Sequence, residues 1–139
     1  MKNVLVLEDD PPVLNLLRRT LAEFRLIEAA TAEEALLLFI DHDYRISLLV
    51  ADLRCARKRL PTRSGIQVAL LLRSVLPTLP VILTSKCPIS GWSVQDSIDL
   101  KRLGSTSVAV LQKPFEAPGL LYMVRDVIGV SQPEKARTA

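Results

Sequence analysis

Four short apolar runs, at residues 4–7, 48–51, 81–83 and 108–111, alternate with longer segments whose apolar residues recur at three- and four-residue steps. This alternation is the strongest constraint on the chain's fold. The runs are too short for helices and too uniformly apolar for half-exposed strands. They suit parallel strands buried on both faces, with the helical segments as the crossovers that parallel strands require. Each run ends in polar groups: Glu8-Asp9-Asp10, Asp52, Thr84-Ser85 and Gln112-Lys113. In a parallel sheet these groups all emerge at the carboxyl edge, where open α/β folds place their ligand sites.

The helix boundaries can be read from capping residues and prolines. Asp10-Pro11-Pro12 predicts a first helix with a capping acid and proline in its first turn, followed by Val13, Leu14, Leu17 and Leu21 as its apolar stripe. A second strand is expected over residues 24–29. Thr31 and Glu34 form a capping box for a second helix that carries Ala35, Leu36, Leu38 and Phe39 inward. Ser64-Gly65-Ile66-Gln67 gives a similar start for a third helix, with Val68, Leu71, Leu72 and Val75 as its buried face and Pro77 and Pro80 as its stop. A loop with Trp92, a helix over about 94–103 ended by Gly104, and a last helix over about 116–128 with Leu120, Leu121, Val124 and Val127 inward complete the reading. The expected fold class is therefore α/β: five strands and five helices in strict alternation, with right-handed crossovers placing helices on both faces of one doubly wound parallel sheet.

At 139 residues the chain forms one domain on this reading, over 1–130, with a polar tail over 131–139. Its 49% hydrophobic content supports an aliphatic core, since aromatics make up only 4%. No apolar stretch approaches the roughly 20 residues needed to cross a bilayer, so no membrane insertion is expected. The first run stops too soon for a signal peptide, and a cytoplasmic location follows as the expectation. Cys55 and Cys87 fit no zinc pattern or disulfide framework and read as two reduced thiols in loops, although both follow an active-edge position and could be neighbours. Much of the net charge of +3 comes from Arg54, Arg57, Lys58, Arg59 and Arg63 in one segment.

The polar edge suggests specific chemistry. Asp10 alone reads as a helix cap, but Glu8 and Asp9 side by side repel unless a cation lies between them. With Asp52 they could supply oxygen ligands to Mg²⁺, which typically keeps several waters and uses few protein carboxylates. Asp52 is the best nucleophile candidate, because a carboxylate can attack phosphorus once a metal screens the approach of two anions. Lys113 and Thr84 would supply a positive charge and a hydrogen bond to phosphoryl oxygens.

With these residues in order, the chain resembles the receiver domain of two-component response regulators over residues 1 to about 130. The matching pieces are Val4-Leu5-Val6-Leu7-Glu8-Asp9-Asp10-Pro11, Leu49-Val50-Ala51-Asp52-Leu53-Arg54, Pro80-Val81-Ile82-Leu83-Thr84 and Lys113-Pro114-Phe115, with Glu33-Glu34-Ala35-Leu36 on the second helix. The resemblance implies strand order 2-1-3-4-5. It also implies that Glu8, Asp9, Asp52 and the backbone carbonyl of Arg54 hold Mg²⁺ and that Asp52 accepts the phosphoryl group. Thr84 would sense the phosphate, Lys113 would bind it, and the Lys113–Pro114 peptide would be cis. The implied protein is a signalling switch rather than a turnover enzyme. Its implied partners are a histidine kinase or histidine phosphotransfer protein and a downstream target or fused output domain. A homodimer through the fourth helix, fifth strand and fifth helix is a further possibility.

Four features depart from the family pattern. The segment from Asp52 to Gly65 is longer by roughly five residues and basic, as functional or mobile loops often are. Ser85 replaces the usual smaller residue beside Thr84, and Arg54 and Lys86 are long cations that could cover the acyl phosphate. Val110 stands where the family has its switch aromatic, and the loop from Lys86 to Val94 is extended. The last two features keep open an alternative: a phosphorylation-independent protein-binding module with the same fold. A flavin or nucleotide binder is disfavoured because no Gly-rich loop follows the first strand. Direct nucleic-acid binding is disfavoured because the basic loop has no recognition helix beside it.

Overall fold

The computed structural model describes residues 1–53 and 63–131, with side chains described to residue 129. Strands β1 (Asn3–Leu7), β2 (Arg25–Ala29), β3 (Leu48–Asp52), β4 (Val81–Ser85) and β5 (Val108–Gln112) alternate with helices α1 (Pro11–Thr20), α2 (Ala32–Asp41), α3 (Gly65–Val75), α4 (Val94–Leu103) and α5 (Ala117–Ser131). The strands pair in parallel in the order β2-β1-β3-β4-β5. The expected α/β class, strand order and doubly wound form are all present. Arg54, Cys55, the basic residues Arg57, Lys58 and Arg59, and the tail from Gln132 lie outside the described residues.

The apolar runs form strands because both of their faces are covered. Val4, Val6, Leu48, Val50 and Ile82 pack with Leu17, Leu21, Leu120, Val124 and Val127 from α1, its C-cap and α5. Leu5, Leu7, Leu49, Ala51, Val81 and Leu83 pack on the other side with residues of α2, α3 and α4. A one-residue slip would exchange the two faces, so the burial pattern locks the register. That register sets Leu7 beside Ala51, Asp52 beside Thr84, and Ser85 beside Gln112.

The caps follow the sequence with two adjustments. Ser64 and Gln67 form a complete capping box. Thr31 accepts from the Glu34 amide, while the Glu34 carboxylate reaches one residue further out, to the Ala30 amide. Asp10 occupies the N-cap of α1, but its side chain makes no capping hydrogen bond. Pro12 at the second helical position has no amide hydrogen to offer an N-cap side chain, and the expected capping role of Asp10 is corrected accordingly. On α3, Leu71 and Val75 are 40% and 48% exposed, whereas Val68 and Leu72 are buried. The helix is wedged between α2 and α4 and turns that edge of its apolar stripe outward.

Gly104, at φ +86°, ends α4 in the left-handed region that favours glycine. The chain between α4 and β5 is then tied to α3 by one side chain. The Arg73 guanidinium donates to the carbonyls of Leu79, Leu103, Thr106 and Ser107.

Candidate phosphoacceptor and metal site

The hydrogen-bond ladder of the sheet extends one residue beyond three of its strands, and this positions the site. The Glu8 amide donates to the Ala29 carbonyl, the Leu53 amide to Thr84, and the Lys113 amide to Ser85. Glu8, Asp52, Thr84 and Lys113 are thus held on rigid backbone at one edge.

Their side chains converge. Lys113 Nζ lies 2.8 Å from Glu8 Oε1 and 3.5 Å from Asp52 Oδ2, and all three residues are largely buried. The Asp10 amide donates to Glu8 Oε2. Glu8, Asp9 and Asp52 each offer a carboxylate oxygen, and these oxygens lie within 4.8 Å of one another. Burial pushes the Glu8 carboxyl above its usual range. The Asp52 charge adds to that push, while the hydrogen bond from Lys113 opposes it.

These residues fit a hard divalent cation. All three side-chain donors are oxygens, as Mg²⁺ and Ca²⁺ prefer, and they span a distance that one hydrated ion can bridge. The four charged groups include two more carboxylates than cations. Thr84 provides a second fit. It is 1% exposed, in register with Asp52, and its Oγ1 has no hydrogen-bond partner among the described residues. An unsatisfied buried hydroxyl costs about 1–3 kcal/mol, and an incoming acceptor oxygen beside Asp52 would relieve it.

The edge also contains features the sequence did not reveal. Gly65, at the start of α3, lies so close to Asp52 that a Cβ there would sit 2.5 Å from the Asp52 carbonyl oxygen. The only sequence signal was a glycine in the first turn of a helix, where almost any other residue has a better helix propensity. The Ser85 hydroxyl donates to the Cys87 carbonyl and accepts from the Cys87 amide. Trp92 Nε1 donates to the same carbonyl, consistent with a loop anchor, and a short 3-10 turn (Ile89–Gly91) precedes it. Cys87 is disulfide-bonded, which corrects the expectation of reduced thiols.

The Lys113–Pro114 peptide is cis, as the resemblance implied. Pro114 and Phe115 line a largely apolar cavity of about 390 Å³ with Pro12, Val13 and Leu16 of α1, and Asp10, Lys86 and Lys113 are its charged lining. Val110 is partly buried in β5 opposite Leu83.

Solved structures of several organisms share this architecture. A response regulator receiver domain protein (CheY-like) from Methanospirillum hungatei matches with a TM-score of 0.74 at 21% identity, over 96% of this chain and 98% of that one. The fold is the response-regulator receiver fold. The receiver-fold chemotaxis protein CheY4 of Vibrio cholerae matches at TM-score 0.70 and 21% identity, over 91% of this chain and 98% of that one. NtrX of Brucella abortus matches at TM-score 0.73 and 20% identity, over 98% of this chain but 29% of that longer one. No family model and no curated protein matches the sequence. At these identities the likeness establishes the receiver fold, and the function must be argued from the site. Among the described residues no helix is long and apolar enough to cross a membrane.

Proposed function

We propose that this chain is a response-regulator receiver that accepts a phosphoryl group on Asp52 in an Mg²⁺-dependent step. The supporting observation is the placement of Lys113 Nζ against both Glu8 and Asp52, beside the unpartnered Thr84 hydroxyl. Burying carboxylates, a lysine and an unsatisfied hydroxyl together opposes folding, and apolar residues of similar volume would serve a purely structural edge better. A set retained at that cost points to chemistry.

Glu8, Asp9 and Asp52 would hold the cation, and the resemblance adds the Arg54 carbonyl. When bound, Mg²⁺ would supply positive charge that offsets the negative charges of the carboxylates and the phosphoryl group. An Asp52 carboxylate oxygen attacks the phosphorus of a phosphohistidine, a P–O bond forms as the P–N bond breaks, and the imidazole leaves and takes up a proton. Lys113 pairs with a phosphoryl oxygen, and the Thr84 hydroxyl donates to another. The phosphodonor is a histidine kinase or histidine phosphotransfer protein. The apolar cavity between α1 and Pro114-Phe115, with its two lysines, suits the docking of such a partner next to Asp52. The chain then acts as a switch on a downstream partner, by a shift in population between two conformations, rather than as a turnover enzyme. Self-association through α4, β5 and α5 is one route to that output.

One observation favours a second reading. Val110 has no ring to move between inward and outward positions, so a phosphorylation-independent binding module is the alternative. Incubation with acetyl phosphate and Mg²⁺ separates the two. Intact mass should show one added phosphoryl group in the wild type and none in Asp52→Asn, with a change in Trp92 fluorescence in the wild type alone. A wild-type chain that remains unmodified at saturating donor and Mg²⁺ would sink the phosphoacceptor reading and leave the binding module.

A further inference from the structure

On the face opposite α1 and α5, a cleft of about 630 Å³ opens between α2, α3 and α4. Its charged and polar lining is Glu33 of α2, Arg63 just before α3, Gln67 of α3, and Gln95, Asp99 and Arg102 of α4, with Leu71 of α3 as an apolar wall. The proposed phosphoacceptor chemistry uses none of these residues. Asp99 is the unusual member, a carboxylate with only 2% of its surface exposed. Gln95 Nε2 donates to its Oδ1 at 3.0 Å. Among the described residues the cation paired with it is Arg102, whose Nη1 lies 3.9 Å from Oδ1, beyond hydrogen-bonding distance, and whose side chain is 69% exposed. Oδ2 is buried with no hydrogen-bond partner among the described residues.

We propose that this cleft binds an aliphatic monocation carrying a guanidinium or ammonium group, with the cationic end donating to Asp99 Oδ2. Three considerations select this chemistry. A buried carboxylate oxygen needs a donor, and a charged N–H is the strongest kind available to it. An anion could pair with Arg63 and Arg102, which also line the cleft, but it would leave Asp99 Oδ2 without a donor. A metal ion would lack ligands: the described residues contain one group of three or more metal-binding side chains, and that group is Glu8, Asp9 and Asp52. The exposed side of Leu71 offers an apolar wall for an aliphatic stem, and the volume is that of a small-molecule site rather than a water site.

The same chemistry could come from a free amine or from an arginine side chain of a partner protein, and the test distinguishes them. The full chain, with Mg²⁺ in excess to block the acidic edge, is titrated with agmatine, with a capped arginine tripeptide, and with the neutral citrulline tripeptide as control. Backbone amide shifts at Gln67, Gln95 and Asp99 should respond to at least one guanidinium probe and not to citrulline. Agmatine binding alone assigns a free metabolite, and peptide binding alone assigns a partner side chain. Asp99→Asn should weaken binding about tenfold or more, because it removes the charge from the hydrogen bond. The same variant keeps the contact from Gln95 while removing a buried charge, so its ligand-free melting temperature should rise. A merely structural Asp99 would give the opposite sign. The proposal is overturned if neither guanidinium probe moves these resonances at about 10 mM, the range of very weak affinity. Binding that survives Asp99→Asn, or a fall in melting temperature in that variant, overturns it equally.

Discussion

Replacing Arg73 by methionine tests whether one guanidinium holds the distal end of the sheet together. Methionine keeps most of the aliphatic stem and removes every donor. Arg73 gives Nε to Leu79 O at 2.9 Å, Nη1 to Leu103 O at 3.1 Å, and Nη2 to Thr106 O at 2.9 Å and Ser107 O at 3.2 Å. Burial lowers its pKa, and no carboxylate forms an ion pair with it among the described residues. Two of the four carbonyls lose little. Thr106 O is at the surface and can bind water, and Ser107 O still accepts from the Val81 amide. The other two matter: Leu79 is buried, and Leu103 O belongs to the last turn of α4, whose carbonyls have no partners within the helix.

At about 1.5 kcal/mol for each bond from a charged donor, the two losses sum to about 3 kcal/mol. With a urea m-value of about 2 kcal/mol/M, the unfolding midpoint should fall by about 1.5 M. Arg73→Lys should recover less than half of this, because a single ammonium cannot reproduce a planar fork that reaches carbonyls on both sides. Urea titrations followed by circular dichroism measure all three chains. A midpoint shift below about 0.5 M for the methionine variant, at that same m-value, would refute the argument. So would full rescue by lysine, since it would mean that charge alone, and not the directed bonds, holds α3 to the segment between α4 and β5.

Arg73 also illustrates what sequence could and could not reveal. The central strands β1, β3 and β4 were legible because they are buried on both faces, so residues 4–7, 48–51 and 81–83 read as unbroken apolar runs. The helix starts were legible where capping is local, as at Thr31-Glu34 and Ser64-Gln67. The four principal site residues, Glu8, Asp52, Thr84 and Lys113, were legible because strand ends in a parallel sheet share one edge. Features that depend on contacts between distant segments were not legible. Arg73 reaches carbonyls 30 and more residues away. Leu71 and Val75 carry the helical period of a buried stripe, but the position of α3 between two other helices turns them outward. Asp99 looks like an ordinary surface acid of a polar helix until α3 packs beside it. The role of Gly65 depends on the Asp52 carbonyl, which lies across the crossover from β3.

Two further predictions concern the acidic edge. Gly65→Ala places a Cβ 2.5 Å from the Asp52 carbonyl oxygen and 3.0 Å from its carbon, so helix or strand must move. Overpacking of this kind costs about 1–3 kcal/mol, and the melting temperature and Mg²⁺ affinity should fall together. Gly119→Ala, where a Cβ meets nothing within 4 Å, is the matched control: it should leave Mg²⁺ affinity unchanged and raise the melting temperature slightly, because alanine is the better helix former; equal effects from the two substitutions would remove the close-approach argument. Lys113→Met tests the balance of charge. The ammonium, 2.8 Å from Glu8 and 3.5 Å from Asp52, occupies space and charge that a divalent cation would share. At an effective dielectric of about 20, a dication and an ammonium about 5 Å apart repel by several kcal/mol, most of which solvent and ions screen. A residual of about 1.4 kcal/mol corresponds to about tenfold tighter Mg²⁺ binding in the variant. The same substitution removes the lysine's attraction to Glu8 and Asp52, so the metal-free chain should be less stable and gain more from added Mg²⁺. Calorimetric Mg²⁺ titration at fixed ionic strength, paired with melting curves with and without the ion, measures both. Unchanged or weaker Mg²⁺ binding in Lys113→Met would mean that the carboxylates and the lysine do not share one electrostatic site, and the metal assignment would fall with it.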